Sequence, residues 1–361
     1  MRIDVRALIL VTLLCPALAA AQTPTTTTAS ADRPAAQAAP AAKPVDVASP
    51  WKLSGYLFGD YYYFASNHDP KIGGQHGFWF RRGYFTYNHT LAAGFSTRFR
   101  LEVNSDGDFT NAKLTPYVKD AYLRWARGSQ ALLFGMSGTP TFEFIESVWG
   151  YRSVEKTPLD LQRWSPSRDF GIAAQGTLDK AKAVNYHVMF GNGSDTGSEV
   201  NKNKAVRAAL SYRAKSGFMA EGYVDWDDQP SGADRSTMQA FVGYRKPAGR
   251  VGVQYAQQKR RNATTPTRTL DLLSVFAVAK VNEKNFVLAR VDRMFNPNPD
   301  GAKIAYLPFD AQSKSVFAVV GWHHQARANV HFIPNVEFVT YSGSRSLDTD
   351  IVPRMTFYFT W

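Results

Sequence analysis

Apolar and polar side chains alternate along segments of about ten residues, and this pattern constrains the fold more than any other feature. In the clearest segment, Phe95 to Asn104, the odd-numbered positions are mainly apolar and the even-numbered ones are polar or charged. A period of two is typical of a β-strand with one apolar and one polar face. About ten residues is also the length that a tilted strand needs to cross a bilayer. The chain from Trp51 onward shows no convincing helical period of useful length.

Sixteen such segments follow one another between Trp51 and Trp361. Single-chain bacterial barrels with antiparallel strands have an even number of them. The predicted strands cover residues 52–64, 78–90, 94–104, 119–127, 130–136, 170–178, 184–190, 204–213, 218–226, 236–245, 250–257, 270–281, 285–294, 315–324, 329–341 and 350–361.

The connections between these segments alternate in length. The odd-numbered connections are long, whereas the even-numbered ones are tight turns such as Gly128-Ser129. A barrel that spans a bilayer has short turns at one end and longer loops at the other, and a soluble sandwich has no reason to keep this rhythm. In lipid every backbone N–H and C=O must be paired, so the sheet must close. We therefore predict an all-β fold, a 16-stranded antiparallel transmembrane β-barrel.

Composition agrees with this fold and excludes several classes of protein. The chain is 44% hydrophobic and 14% aromatic, yet its mean hydropathy is −0.30, a combination that suits an apolar exterior and a polar interior. A single cysteine excludes a disulfide framework or a cysteine zinc site. No Gly-x-Ser-x-Gly, phosphate-loop or paired-cysteine motif occurs, so we predict no enzyme activity, catalytic residue or cofactor. A barrel lipase is the enzyme alternative, but His187 and Ser211 are not convincingly placed for it.

The N-terminal segment resembles a secretory signal. Arg2 and Arg6 precede a short apolar core at 7–14, and alanines at 19–21 form a small-residue cleavage site. We predict that residues 1–21 are removed, which leaves a net charge of +11 from the formal +12. An exported chain without a recognisable nucleic-acid motif is not expected to bind nucleic acid.

The next segment, 22–50, is rich in Thr, Ala and Pro. Few of its side chains are large and apolar, so little burial is available to offset the entropy of ordering them. We predict a flexible periplasmic linker at 22–50, followed by an outer-membrane β-barrel at 51–361.

Arginine is the most prominent charged residue on the polar faces of the predicted strands. Its guanidinium stays charged and matches phosphate or carboxylate with a rigid fork of donors. Rings of such residues in a pore lower the barrier for anions. Arginines that pair with acids to hold the wall together are the alternative, and both readings stay open. The predicted lumen residues are Arg98, Arg100, Arg124, Arg207, Arg213, Arg250, Arg290, Arg354 and, because neighbours on a strand point to opposite sides, one of Arg81 and Arg82.

The connection at 137–169 is much longer than the others. A loop of this length is functional or disordered, and its large aromatic side chains argue against disorder. We predict that it folds into the lumen and sets the narrowest radius, with a lid over the mouth as the alternative. The residues predicted to form this constriction are Phe142, Glu143, Glu146, Trp149, Arg152, Lys156, Arg163 and Trp164.

Two further patterns bear on metal binding and on strand structure. His323, His324 and His331 could suggest a metal, but neighbours on a strand face opposite ways, so at most one of the first pair could serve, and we predict no metal site. In the last strand, Pro353 interrupts the alternation, and we predict a bulge or a strand start there.

Four short motifs resemble those of a known family. They are Ser54–Tyr61, Phe80–Tyr84, Lys119–Leu123 and Ser167–Gly171. As a set they resemble the phosphate-selective porins, the O- and P-type porins. The resemblance covers roughly 51–361 and implies a homotrimer of 16-stranded barrels with an inward-folded third loop and arginines that guide anions. By match to the motifs, Arg81, Arg82 and Arg168 would inherit a pore role.

Together these features predict a porin of the bacterial outer membrane through which small hydrophilic solutes diffuse passively. Its expected partners are outer-membrane lipid, small anions such as phosphate, and two further copies of the chain. Two alternatives stay open: a general or sugar-type porin without anion specificity, and a plugged structural or adhesive barrel.

Overall fold

The computed structural model describes residues 50–111, 113–343 and 345–361. They form one closed barrel of sixteen antiparallel strands, in which each strand pairs with its neighbours in the chain and the first pairs with the last. The predicted fold is confirmed. The predicted signal peptide and all of the predicted linker except Pro50 lie outside the described residues and stay predictions.

Each of the sixteen predicted segments corresponds to one strand, and β4 differs most because it begins five residues earlier than predicted. The strands are β1 (Trp51–Tyr63), β2 (His76–Thr90), β3 (Phe95–Ser105), β4 (Leu114–Arg127), β5 (Gln130–Gly138), β6 (Arg168–Thr177), β7 (Val184–Gly191), β8 (Ala205–Arg213), β9 (Phe218–Asp227), β10 (Arg235–Lys246), β11 (Gly249–Arg260), β12 (Arg268–Lys280), β13 (Asn285–Met294), β14 (Lys314–Arg327), β15 (Val330–Ser342) and β16 (Asp350–Thr360). The third loop (139–167) carries two short helices, α1 (Glu143–Trp149) and α2 (Pro158–Leu161).

The two faces of the sheet differ in polarity in the sense that a bilayer requires. On β10, Met238 and Val242 point outward and are 53% and 50% exposed, whereas Thr237 and Gln239 point inward and are buried. An apolar exterior around a polar interior is the reverse of a water-soluble protein, and it matches lipid outside and water inside. Among the described residues, no helix is long and apolar enough to cross a membrane.

The connections alternate between short turns and longer loops, as predicted. Tight turns such as 128–129 and 247–248 close one end of the barrel, the short-turn end. The other end, the long-loop end, carries the third loop and the seventh loop (295–313) among others.

The third loop folds into the lumen, as predicted, and the alternative of a surface lid is wrong. Residues 144, 145, 148 and 149 of α1 are buried, because a helix places positions separated by about four residues on one face. The ring of Phe144 lies 6.0 Å from that of Phe241 on β10, and the ring of Trp149 lies 5.3 Å from that of Phe276 on β12. Apolar burial therefore holds α1 against the wall formed by β10–β12.

Two glycines make room for these wall rings. Gly243 and Gly252 face each other across β10 and β11. A Cβ at Gly252 would lie 2.6 Å from the ring of Phe276 and 2.7 Å from that of Phe241, too close for van der Waals contact. Bare backbone at this site lets both rings lie flat against the wall, where α1 packs on them.

Two β-bulges change which side chains face the lumen. Phe58 pairs with Arg82 and Gly59 with Phe80, so Arg81 is an extra residue on β2. Both Arg81 and Arg82 then point inward, and the prediction that only one of them does is wrong because a bulge breaks strict alternation.

The second bulge lies on β4. Arg100 pairs with Asp120 and Leu101 with Val118, so Lys119 is extra. Lys119 and Asp120 are consequently both buried on the lumen side, 6% and 2% exposed.

The bulge or strand start predicted at Pro353 is absent. β16 begins at Asp350 and its pairing with β15 runs without a shift through this proline. Val352 and Arg354 are both buried inside the barrel, whereas Met355 is exposed on the outside. The sequence pattern looked irregular because Val352 is an apolar residue on the lumen face, where it joins the core beneath the loops.

Candidate pore constriction

The third loop divides the lumen and leaves a central cavity of about 580 Å³ between itself and the opposite wall. β1–β4, the start of β6 and β14–β16 supply that wall, and α1 supplies much of the loop side. The charged side chains that line the central cavity are Arg98, Arg100, Lys119 and Arg168 on the wall, and Glu143, Glu146, Arg152 and Asp160 on the loop.

The two sides of the central cavity carry opposite charge. The wall contributes four basic side chains, and the loop contributes all three of the acidic ones together with Arg152. The polar face of α1 explains the loop side, because Glu143 and Glu146 lie opposite the buried face of that helix. The central cavity therefore lies between an acidic loop surface and a basic wall.

One carboxylate organises the basic wall. The side chain of Asp120 is buried, and its Oδ1 accepts from Nε of Arg168 over 2.5 Å. Nη1 of Arg100 lies 3.5 Å from Oδ2, and Nη1 of Arg98 lies 3.9 Å from it. A single buried carboxylate cannot neutralise three guanidinium groups, so the wall keeps an excess of positive charge towards the cavity.

Neutral partners hold two of these guanidiniums in place. Arg98 donates from Nε to Asn88 over 2.9 Å, and Arg100 donates from Nε to Thr86 over 2.8 Å. With Nε occupied on each side chain, the terminal nitrogens remain directed at Asp120 and the cavity.

The pKa values of two acidic residues of the third loop are raised by burial and lowered by nearby arginines. Burial raises the pKa of Glu143, and Arg168 opposes that shift. Burial likewise raises the pKa of Glu146, opposed by Arg152. Arg152 bridges Glu146 at 3.3 Å and Asp160 at 3.1 Å, so the loop neutralises part of its own charge.

A second cavity, of about 480 Å³, lies at the long-loop end and shares Lys119, Arg152 and Asp160 with the central cavity. We call it the mouth cavity. Its basic side chains outnumber its acidic ones by seven to four. The basic residues are Arg82, Lys119, Arg152, Lys156, Arg163, Arg235 and Lys303, and the acidic ones are Asp160, Asp195, Asp227 and Asp300.

A third cavity, of about 490 Å³, lies at the short-turn end and shares Glu143 and Ser147 with the central cavity. Arg124 and Arg213 line it. Arg213 also donates to Ser147 Oγ over 2.8 Å and lies 4.2 Å from the ring of Phe144. Three adjoining cavities therefore follow one another from one end of the barrel to the other.

Several of the predicted pore arginines are buried and hold the loops instead of lining this path. Arg81 donates to the carbonyl of Val154 over 2.7 Å and contacts Glu155 at 3.2 Å. Arg290 donates to the carbonyl of Lys156 over 2.5 Å and pairs with Asp292 at 2.7 Å. Because both arginines grip the backbone of the third loop, they fix its position in the lumen.

Two more arginines also hold loop backbone, whereas a third, Arg207, forms an ion pair between two strands of the wall. Arg354 pairs with Glu337 at 3.0 Å and donates to the carbonyl of Tyr306 in the seventh loop. Arg250 donates to the carbonyl of Trp149 over 2.8 Å. Arg207 is fully buried and pairs with Asp169 at 2.5 Å.

The other predicted residues lie in the mouth cavity or in an apolar cluster. Arg82 pairs with Glu102 at 2.7 Å on the wall of the mouth cavity. Phe142 and Trp164 are buried in an apolar cluster with Leu272 and Met294. Lys156 and Arg163 line the mouth cavity.

Sequence reasoning missed Lys119 and Asp120 as central residues of the site. Strict alternation allows only one of two adjacent residues to face the lumen, and the bulge on β4 removes that limit. Two adjacent charged residues of opposite sign within an otherwise alternating strand are the signal that could have indicated the bulge.

No protein-family model matches the sequence, and no curated protein matches it. The fold, however, is similar to that of solved outer-membrane proteins. The anion-selective porin of Comamonas acidovorans superposes with a TM-score of 0.66 at 13% identity, covering 86% of this chain and 99% of that one. The chain has the porin fold.

Two further solved structures have the same fold. The outer membrane channel DcaP of Acinetobacter baumannii gives a TM-score of 0.62 at 12% identity, covering 86% of this chain and 97% of that one. OmpT of Vibrio cholerae in its trimer form gives 0.59 at 12% identity, covering 86% and 99%. At these identities, the similarity establishes the porin fold alone.

Proposed function

We propose that this protein is an outer-membrane channel through which small hydrophilic solutes diffuse passively, with a preference for anions. The observation that carries the proposal is the cluster of Arg98, Arg100 and Arg168 around the single carboxylate of Asp120. Basic rings in a pore lower the barrier for anions and raise it for cations. The basic excess of the mouth cavity would raise the local anion concentration before the constriction.

The porin fold and the predicted signal peptide support the location in the outer membrane. The solved structure from Comamonas acidovorans is named an anion-selective porin, which supports the direction of the preference. DcaP is named an outer membrane channel.

We propose phosphate and other small oxyanions as the solutes, and the phosphate-selective porins as the family. Paired guanidinium groups bind phosphate and carboxylate oxygens better than they bind a spherical halide, because their donors form a planar fork. The motifs around Arg81, Arg82 and Arg168 support this family assignment. Adding phosphate to a chloride bath should lower the chloride current if phosphate occupies the arginine cluster, and an unchanged current would remove phosphate from the proposal.

We also propose that the protein is a homotrimer. OmpT, which has a similar fold, was solved in a trimer form. The resemblance to the phosphate-selective porins also implies a homotrimer. Mass measurement in detergent by light scattering should give three copies per particle, and a single copy would contradict the proposal.

The decisive experiment is single-channel recording in a planar bilayer with a salt gradient. Purified protein should conduct, and the sign of the reversal potential should indicate that anions carry most of the current. The variant R98E/R100E should lower or invert this preference. The matched control K215E/K246E changes the same charge at exposed positions of the short-turn end and should leave it unchanged.

Each contrary result has a defined meaning. No conductance would indicate a plugged structural or adhesive barrel. Equal passage of anions and cations, with sugars entering liposomes, would indicate a general or sugar-type porin. An unaltered preference in R98E/R100E would mean that these two arginines do not guide ions.

A further inference from the structure

Two histidine rings meet on the wall of the central cavity. His323 on β14 and His331 on β15 both face the lumen, and Nε2 of His323 lies 2.9 Å from Nδ1 of His331. His324 faces the opposite side, where its Nδ1 lies 2.9 Å from Oδ1 of Asn285. The pairing of β14 with β15 therefore brings His323 and His331 together. The sequence analysis predicted no metal site for these histidines.

In the metal-free chain the two ring nitrogens are at hydrogen-bond distance and share one proton, which a metal ion would replace. A cation about 2.05 Å from both nitrogens would bind them at an angle of about 90°, the angle of tetragonal coordination that Cu²⁺ and Ni²⁺ prefer. Imidazole is a preferred ligand of these ions, and Cu²⁺ is the most tightly bound of the series. We propose that His323 and His331 form a binding site for a divalent late first-row transition metal ion, with Cu²⁺ as the best fit.

A hydrogen bond on the far side of His323 supports this role. Its Nδ1 lies 3.1 Å from the hydroxyl of Tyr151 in the third loop. When Nδ1–H donates to Tyr151, Nε2 carries the lone pair that a metal ligand needs. Metal-binding histidines almost always have such a partner on their second nitrogen, because it fixes the tautomer and the ring orientation.

Packing holds both rings in this geometry. Phe286 stacks on His323 with ring centroids 5.3 Å apart, and Tyr358 lies 5.2 Å from His331. Both histidines line the central cavity, so lumen water can fill the other coordination positions. In the part of the chain that the structure describes, no group of three or more His, Cys, Asp or Glu side chains is placed to hold a metal, and the proposed site has two protein ligands.

A cation that approaches this site from the lumen would be repelled by the positive charge of Arg250. Arg250 lies 5.3 Å from the ring of Tyr151, although its terminal nitrogen is bound to the carbonyl of Trp149. A bound divalent ion would place two positive charges opposite the third loop, where it would narrow the passage.

Direct binding is the primary test, and it needs no channel activity. The full chain without a polyhistidine tag is titrated in detergent with CuCl₂ and followed by electron paramagnetic resonance, which reports coordinated nitrogens. One Cu²⁺ per chain with two nitrogen ligands is expected. Replacing either ligand in H323A or H331A should weaken binding by about tenfold or more, and the control H324A should bind as the parent does.

A second variant guards against misfolding. H323Q keeps a polar side chain next to Tyr151 but is a poor copper ligand, and it should retain the β-sheet circular dichroism of the parent while losing tight binding. Copper binding of equal strength in the parent, H323Q and H331A would overturn the proposal. Absence of a two-nitrogen signal from the parent would overturn it as well.

The consequence for transport rests on the proposed function and is tested separately. CuCl₂ should reduce the single-channel conductance of the parent and of H324A, but not of H323Q. A chain that binds copper as described and conducts nothing would refute the channel and leave the metal site. A conducting chain whose copper affinity ignores His323 and His331 would refute the metal site and leave the channel.

Discussion

Arg168 and Asp120 form the shortest polar contact of the basic wall, with Nε donating to Oδ1 over 2.5 Å. Arg168 opens β6 directly after the third loop, whereas Asp120 lies next to the bulge on β4. The pair therefore joins the base of the constriction loop to the wall that the loop faces, and it sets both the charge and the shape of the passage.

We expect Asp120→Asn to increase anion preference and to lower stability. The change removes the carboxylate that partly neutralises Arg98, Arg100 and Arg168, so more positive charge faces the cavity. Because the three arginines are partly exposed to the cavity, the loss of stability should be smaller than the ~3–5 kcal/mol that breaking a fully buried ion pair costs. Reversal potentials in a salt gradient and urea unfolding in detergent measure the two effects. Unchanged selectivity would mean that this carboxylate does not tune the wall.

The buried and lining arginines should behave differently. Arg207→Gln removes a fully buried guanidinium paired with Asp169, so we expect lower stability, by about 3–5 kcal/mol, and unchanged ion preference. Arg98→Gln removes a side chain that is 34% exposed on the cavity wall, so we expect reduced anion preference with little loss of stability. Reversal potentials and unfolding curves of both variants, measured side by side, test the division. The reverse outcome would show that burial does not separate the two roles.

Trp149→Ala should loosen the third loop. The side chain is 1% exposed and packs against Phe276, and truncating such a residue costs about 3–5 kcal/mol. We expect a larger mean conductance with more current noise, because the loop is less firmly held to the wall. Trp226→Ala is the control, since Trp226 is 47% exposed on the outer face. A steady, unaltered conductance in Trp149→Ala would show that this ring is not an anchor.

Anion preference should rise as pH falls through about 7. Burial lowers the pKa of Lys156 to about 7, with Arg82 acting in the same direction and Asp160 against it. Protonation then adds a positive charge to the mouth cavity. Reversal potentials between pH 6 and 8.5 measure the change. Lys156→Gln should keep the high-pH preference throughout, and Lys156→Arg the low-pH preference. A parent-like pH profile in both variants would assign the titration to another group.

The same shift affects stability. The pKa of Lys156 is lower in the folded chain than its ordinary value of 10.5, so the unfolded chain binds more protons between these values. Stability from this residue therefore increases as pH rises from about 7 towards 10.5. Lys156→Gln should flatten that part of the dependence in urea unfolding measured across this range. An equal slope in both proteins would contradict the assignment.

The strands could be predicted because lipid imposes a strict rule on the sequence, and the lumen-folded loop could be predicted because of its length and its large aromatic side chains. Apolar residues must alternate with polar ones wherever a strand has lipid on one side and water on the other, as from Phe95 to Asn104. The rule fails where side chains meet a folded loop instead of water. Val352 is apolar yet faces inward, because it packs in the core beneath the loops.

The detailed site was beyond prediction for two physical reasons. Bulges such as those at Arg81 and Lys119 depend on pairing between strands, which single-sequence alternation does not report. Contacts between loop and wall, such as that between Tyr151 and His323, join residues 172 positions apart in the chain. For the same reason, the sequence identified arginines as lumen residues without separating those that hold loops from those that face the cavity.

The bulges at Arg81 and Lys119 let the barrel tolerate a change in strand length at these two positions. Deleting Arg81 or Lys119 would return its strand to a regular two-residue repeat. Every following side chain would then still point to the same face of the barrel wall, either lumen or lipid. At an unbulged position, a one-residue deletion would instead turn the rest of the strand inside out. The charge of the passage can therefore evolve by the loss or gain of a single codon, in addition to substitution.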